Sequence, residues 1–238
     1  MQPEMQNQQP VFTGNTATDV ATQHNKVLRN TYMLLAVSLI PTIVGAVIGT
    51  SVFNIAGLMR GVGPIVSTIA ILAIFYGWVY VIERNKTTSL GLYLLLGFTF
   101  FMGLLLGPLM QKTLGLRNGG QLVMMAAGGT AGVFFILSGI AANVKRDFSF
   151  QNKFIMVGVI VAMLAVVANI FLQMPALSLA LCGVFIVLSS AIILWQINDI
   201  VRGGETNYVS ATLTLYISVY NIFTSLLQIL GIVGGDRD

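Results

Sequence analysis

The chain has 238 residues, of which 56% are hydrophobic and only 8% charged, with a mean hydropathy of +0.86. A soluble domain carries about 25% charged residues to solvate its surface, so most of this chain has lipid as its solvent. The net charge of +4 is then loop charge rather than a nucleic-acid footprint, and one cysteine (Cys182) with one histidine (His24) allows neither a disulfide nor a Cys/His metal cage.

Residues 1–25 are rich in Gln, Asn and Thr, include Pro3 and Pro10, and offer little to bury. They read as a disordered tail, followed by one transmembrane domain over 26–238. No basic segment precedes a short apolar core and a small-residue cleavage site, so the first span reads as an uncleaved signal anchor. A helix needs about 20 residues to cross a hydrocarbon core of about 30 Å. Seven charge-free segments meet that length: Thr31–Phe53, Pro64–Ile82, Ser89–Met110, Gln121–Asn143, Phe154–Gln173, Ala176–Asn198 and Tyr208–Val233. They are continuously apolar, without the alternation of barrel strands. The fold class is an all-α membrane protein of seven transmembrane helices.

Eight of the twelve basic residues fall on one side if the N-terminus is cytoplasmic: Lys26, Arg29, Arg84, Lys86, Lys145, Arg146, Lys153 and Arg202. The positive-inside rule then puts the C-terminus outside. The nearly chargeless Leu172–Ala176 reads as a tight outer hairpin between helices five and six.

The interior is poor in the groups that chemistry needs. The last span has no lysine for a retinal Schiff base. No span carries an arginine ladder or an Asp/Glu/His relay, and neither H-E-x-x-H nor G-x-S-x-G occurs. The expectation is a non-enzymatic protein without cofactor or metal. Neutral polar residues do occur within the spans. Gln196 and Asp199 are three apart on helix six, and Ser218 and Asn221 repeat that spacing on helix seven. If those faces meet, they form a small polar pocket in the cytoplasmic half, either a satisfied core network or a remnant ion path. Gly103 and Gly107 on helix three, and Gly128 and Gly132 on helix four, have the G-x-x-x-G spacing of close helix approach. Packing within the chain accounts for both better than dimerisation. Pro108 is expected to kink or end helix three, and Tyr32, Trp78, Tyr80, Trp195 and Tyr208 fall near span ends as interfacial anchors.

Gly103-Leu-Leu-Leu-Gly107-Pro108-Leu109-Met110 resembles the G-x-x-[aliphatic]-G-P-x-L signature of the Bax inhibitor family of small seven-helix membrane proteins, with Met110 in place of the final Leu. Ala211–Tyr216, Asn221–Phe223 and Leu226–Gly231 are similar to that family's last helix. Lys26–Tyr32, Ala168–Leu177 and Gly203–Tyr208 resemble its bacterial YccA-type branch. The resemblance implies six helices surrounding the seventh in the bacterial inner membrane, and two functions. Some members are pH-sensitive calcium leak channels gated by an aspartate pair on helices six and seven. Those positions fall here at Gln196 and Ser218, so this reading requires an altered gate. Asp199 lies one turn nearer the cytoplasm, and a single carboxylate cannot share a proton with a neighbour. The YccA-type branch is associated with the membrane-bound AAA protease FtsH, as a slowly processed substrate that modulates its action on other membrane proteins. The implied partners are that protease, its associated membrane regulators and the bilayer. A non-enzymatic regulator of this kind is the leading expectation, because the branch motifs match while the gate carboxylates are absent.

Overall fold

The computed structural model describes residues 17–51, 63–143 and 149–234, together with Gly57 and Gly61. These form seven helices: α1 (Ala17–Ser51), α2 (Pro64–Arg84), α3 (Ser89–Leu114), α4 (Gly119–Asn143), α5 (Ser149–Leu172), α6 (Pro175–Arg202) and α7 (Tyr208–Val233). All seven are long and apolar enough to cross a membrane. In hydrocarbon every backbone N–H and C=O must be satisfied within its own element, which is why apolar runs of this length become helices.

The helices overrun the expected spans where the requirement is hydrogen bonding rather than apolarity. α1 begins at Ala17, within the stretch expected to be a tail, and the rest of that stretch, 1–16, lies outside the described residues. α3 runs through Pro108 to Leu114, so the proline does not end it. Between α5 and α6 only Gln173 and Met174 are non-helical, the tight hairpin expected there. Gln173 takes a left-handed φ of 49°. The turn is held by Asn169, whose carbonyl accepts from the Gln173 N–H at 2.8 Å and whose Oδ1 accepts from the Met174 N–H at 3.2 Å.

The longest packed seam joins α1 and α3, and glycines make it possible. A Cβ on Gly103 would fall on the Thr42 carbonyl oxygen, one on Gly107 on the Gly49 carbonyl, and one on Gly45 on the Phe100 carbonyl. Each helix therefore presses carbonyl oxygens onto the other's α-carbons, the geometry of interhelical Cα–H···O contacts. Pro108 belongs to this arrangement. Having no N–H, it leaves the Leu104 carbonyl without its i→i+4 partner, and that oxygen lies 2.5 Å from where a Gly49 Cβ would be. Gly128 and Gly132 of α4 behave differently: among the described residues nothing lies within 4 Å of a Cβ placed on either. Their spacing serves no packing within the described chain, contrary to the sequence-based expectation.

α7 packs against α1, α2, α3, α4 and α6, whereas α5 packs on α6. The buried core runs from Leu34 and Leu35 of α1 through Phe98 of α3 to Ile193 and Ile197 of α6 and Leu215, Tyr216 and Ile222 of α7, with no member from α5. Trp78 ties α2 to α3. Its indole N–H donates to the Leu94 carbonyl of α3 at 3.1 Å, and its ring stacks on Phe101.

The two glycine pairs give opposite expectations. Gly103→Ala and Gly107→Ala should each destabilise the folded protein by about 1–3 kcal/mol, because the methyl meets backbone. Gly128→Ala and Gly132→Ala should stay within about 0.5 kcal/mol. Denaturant titration in mixed micelles, followed by tryptophan fluorescence, measures both; equal effects at all four positions would contradict the assigned seam.

Candidate functional site

At the end of the bundle where α2, α6 and their successors turn, two distant loops are clamped together. Gly203, with φ of 80°, ends α6 in the left-handed conformation, and the Gly204 N–H returns to the Asp199 carbonyl at 2.9 Å. Glu205 accepts the Asn207 N–H at 2.7 Å. The Asn207 side chain then does two things: its Oδ1 caps α7 by accepting from Val209 and Ser210, and its Nδ2 donates to the Lys86 carbonyl at 2.9 Å. The Ser210 hydroxyl donates to Glu83 Oε1 at 2.7 Å, and the Lys86 ammonium meets Glu83 Oε2 at 3.0 Å. The hydrogen bond to Glu83 raises Lys86 above the ordinary lysine range against a partial loss of hydration, with the charges of Glu83 and Glu205 adding to the rise.

Mid-bundle, α7 inserts two tyrosines against the α1–α3 seam. The Tyr216 and Thr42 hydroxyls share a hydrogen bond of 2.7 Å, Tyr216 also reaches the Thr99 carbonyl, and Tyr220 donates to the Met102 carbonyl at 3.1 Å. Sequence reasoning missed these residues as ties; a tyrosine in an apolar span carries no sign of which helix it will meet.

Of the four polar residues expected to share a pocket, Gln196 and Ser218 are buried on two helices that pack together, α6 and α7. Gln196 is 2% exposed, and its Nε2 finds no acceptor among the described residues. Ser218 is equally buried and donates back to the Thr214 carbonyl of its own helix. Asp199 is half-buried beside Gly204, where a Cβ would fall on its carboxylate. Asn221 alone of the four lines a cleft of about 390 Å³ between α2, α5, α6 and α7. Asn221, Thr224, Ser225 and Gln228 line this cleft together. Their i, i+3, i+4, i+7 spacing is one continuous helix face, a signal present in the sequence that pairwise spacing did not expose. Across it, Asn169 donates to Ser178 at 2.7 Å and Cys182 to Gln228 Oε1 at 3.1 Å. Among the described residues no three His, Cys, Asp or Glu side chains gather as a metal site would require.

Residues 24–235 match the family model described as "Inhibitor of apoptosis-promoting Bax1". The chain belongs to the Bax inhibitor family. An uncharacterized protein of Neisseria meningitidis serogroup A is 42% identical over 89% of this chain and 93% of its own length. "Modulator of FtsH protease YccA" of Escherichia coli K12 is 38% identical over 95% of this chain and 98% of its own. "Inner membrane protein YccA" of E. coli O6:H1 matches to the same extent. Those two names describe a modulator and a membrane protein, and the family description an inhibitor; none describes a catalyst.

In this family member the loop clamp rests on Asn207 more than on the surface ion pair. Asn207→Ala removes a cap and an interloop bond together and should destabilise by about 1–2 kcal/mol, whereas Lys86→Ala should stay under about 1 kcal/mol. Because Lys86 is raised, its pairing contributes fully below the unfolded lysine value near pH 10.4 and is lost only as pH rises through the raised one. The stability difference between wild type and Lys86→Ala should therefore be flat from about pH 6 to about pH 9. Thermal unfolding in detergent across that range tests both statements.

Proposed function

We propose that this chain is an inner-membrane modulator of an FtsH-type AAA protease, acting as a substrate that is engaged readily and extracted slowly. Its N-terminus is on the cytoplasmic side and its C-terminus on the periplasmic side, the arrangement that leaves eight of twelve basic residues inside. The E. coli relative named as a modulator of FtsH protease aligns over nearly the whole of both chains. The observation that carries the mechanism is the position of the α1–α3 seam. α1 is the first helix after the amino-terminal segment, and it is the helix held backbone to backbone against α3. A protease pulling from the N-terminus meets the tightest contact in the bundle first. Behind it stands α7, here taken as the central helix, tied to both by Tyr216 and Tyr220. A protease held at that seam is withheld from other membrane substrates, which is modulation without chemistry by the substrate itself.

The test is a pair of lifetimes in cells. Deleting residues 1–16 should lengthen this protein's own lifetime, and Gly107→Val, which opens the seam, should shorten that of the otherwise intact chain. Overproduced wild type should stabilise another membrane substrate of the protease, and the Gly107→Val variant should do so less. Unchanged lifetimes in a membrane-inserted deletion variant would sink the proposal. Calcium flux through reconstituted vesicles that depends on pH and vanishes in Asp199→Asn would put a leak channel with an altered gate in its place.

A further inference from the structure

The cleft between α2, α5, α6 and α7 has a lining unlike the rest of the spans. Asn169 and Gln228 lie within two turns of the helix ends at the α5–α6 hairpin, whereas Asn221 lies halfway along α7, so the cleft runs from the bundle end toward mid-bilayer. Its polar groups are all uncharged, and Val166, Ile170, Leu181 and Phe185 supply apolar wall between them. Among the described residues α2 packs on α3 and α7 and α5 on α6, and no extensive seam joins α2 to α5. The cleft therefore opens sideways, between two helices whose outer faces carry Ile69 on one and Leu164 and Phe171 on the other, all exposed.

The hydrogen bonding inside the cleft is incomplete. Asn169, Ser178 and Cys182 are satisfied by partners within it. Gln228 receives the Cys182 thiol on its oxygen, which leaves its amide N–H groups for another acceptor. The half-exposed Asn221 carboxamide, two turns away on the same stripe, makes no hydrogen bond among the described residues. Polar side chains in a bilayer ordinarily find a partner on a neighbouring helix. Two carboxamides left open in a laterally accessible space call for a ligand that both donates and accepts, and that reaches them from the lipid.

We propose that this cleft is a lateral lipid site for a neutral glycerolipid of the diacylglycerol class. The free hydroxyl donates to the Asn221 side-chain oxygen, an ester carbonyl accepts from the Gln228 amide, and the acyl chains leave between α2 and α5. About 390 Å³ holds roughly a dozen water volumes at about 30 Å³ each, enough for a glycerol moiety and the first carbons of its chains. The absence of any lysine, arginine or carboxylate from the lining disfavours a phosphodiester or zwitterionic headgroup, whose charge would be buried without a partner.

Cys182 is the only cysteine in the chain and lines the cleft, so one thiol reports its occupancy. The full-length protein is placed in nanodiscs of phosphatidylethanolamine and phosphatidylglycerol, with and without dioleoylglycerol, and the rate of maleimide labelling is followed. Dioleoylglycerol should slow labelling saturably, about tenfold when present at about ten times its Kd, and dioleoylphosphatidylcholine at equal mole fraction should not. Asn221→Leu, which keeps the branching at Cγ but removes both polar atoms, should label as fast with dioleoylglycerol as without while keeping the wild-type melting temperature. As a second measurement independent of thiol reactivity, a diacylglycerol with a diazirine on one acyl chain should cross-link to peptides of α2 or α5 in wild type and lose that cross-link in Asn221→Leu. Protection shared by the phospholipid, cross-linking unaffected by Asn221→Leu, or no cross-link to either helix would each overturn the assignment.

Discussion

Carbonyl oxygens resting on glycine α-carbons, along the line where α1 meets α3, are the contact on which the rest of this bundle is arranged. Lipid is as apolar as leucine, so burial of apolar surface gives two helices little reason to associate inside a membrane. Close approach supplies dispersion and weak C–H···O contacts instead, and both fall away steeply with distance. Gly45 and Gly49 on one helix and Gly103 and Gly107 on the other remove the side chains that would keep the backbones apart. Pro108 fits the same logic. A proline in mid-helix exposes a carbonyl that water would normally satisfy, and here that oxygen is laid over Gly49. Once α1 and α3 are joined, they present the Thr42 hydroxyl and the Thr99 and Met102 carbonyls toward α7, and the two tyrosines of α7 are placed to meet them.

The number of spans, the α5–α6 hairpin and the close approach at Gly103 and Gly107 were legible because each follows from a local rule: hydrocarbon thickness, a chargeless turn beside a proline, a small-residue spacing. Partner choice was not legible. Gly128 and Gly132 are spaced as Gly103 and Gly107 are, yet one pair is pressed against backbone and the other has open space beside it. The motif says that a helix can be approached, and only the three-dimensional arrangement says whether it is. The polar residues teach the same lesson at finer grain. Ser218 and Asn221 share a helix face by spacing, but about 60° separates successive i, i+3 positions, enough to turn Ser218 into the core and Asn221 onto the cleft. The roles of Asn207, Tyr216 and Tyr220 were hidden because each acts on a residue more than a hundred positions away.

Many polar side chains of the described spans donate back to a carbonyl of their own helix, and a smaller set ties one helix to another. Stability is distributed unevenly: the α1–α3–α7 unit is tied by backbone contact, hydroxyls and core packing, whereas α5 leans on one neighbour and faces lipid over most of its length. Resistance to unfolding therefore depends on the end from which force is applied.

The tyrosine ties also bear on synthesis. The helices enter the membrane in chain order, and α1 can close on α3 long before α7 has left the ribosome, since only about half of the chain is needed for that seam. Until α7 arrives, the surface that it will cover stands open to lipid, with the Thr42 hydroxyl and the carbonyls that Tyr216 and Tyr220 later engage turned toward hydrocarbon. A nascent chain halted at that stage would carry an incompletely covered polar groove within the bilayer, a recognisable mark of unfinished assembly. The last helix to be made is the one that erases it.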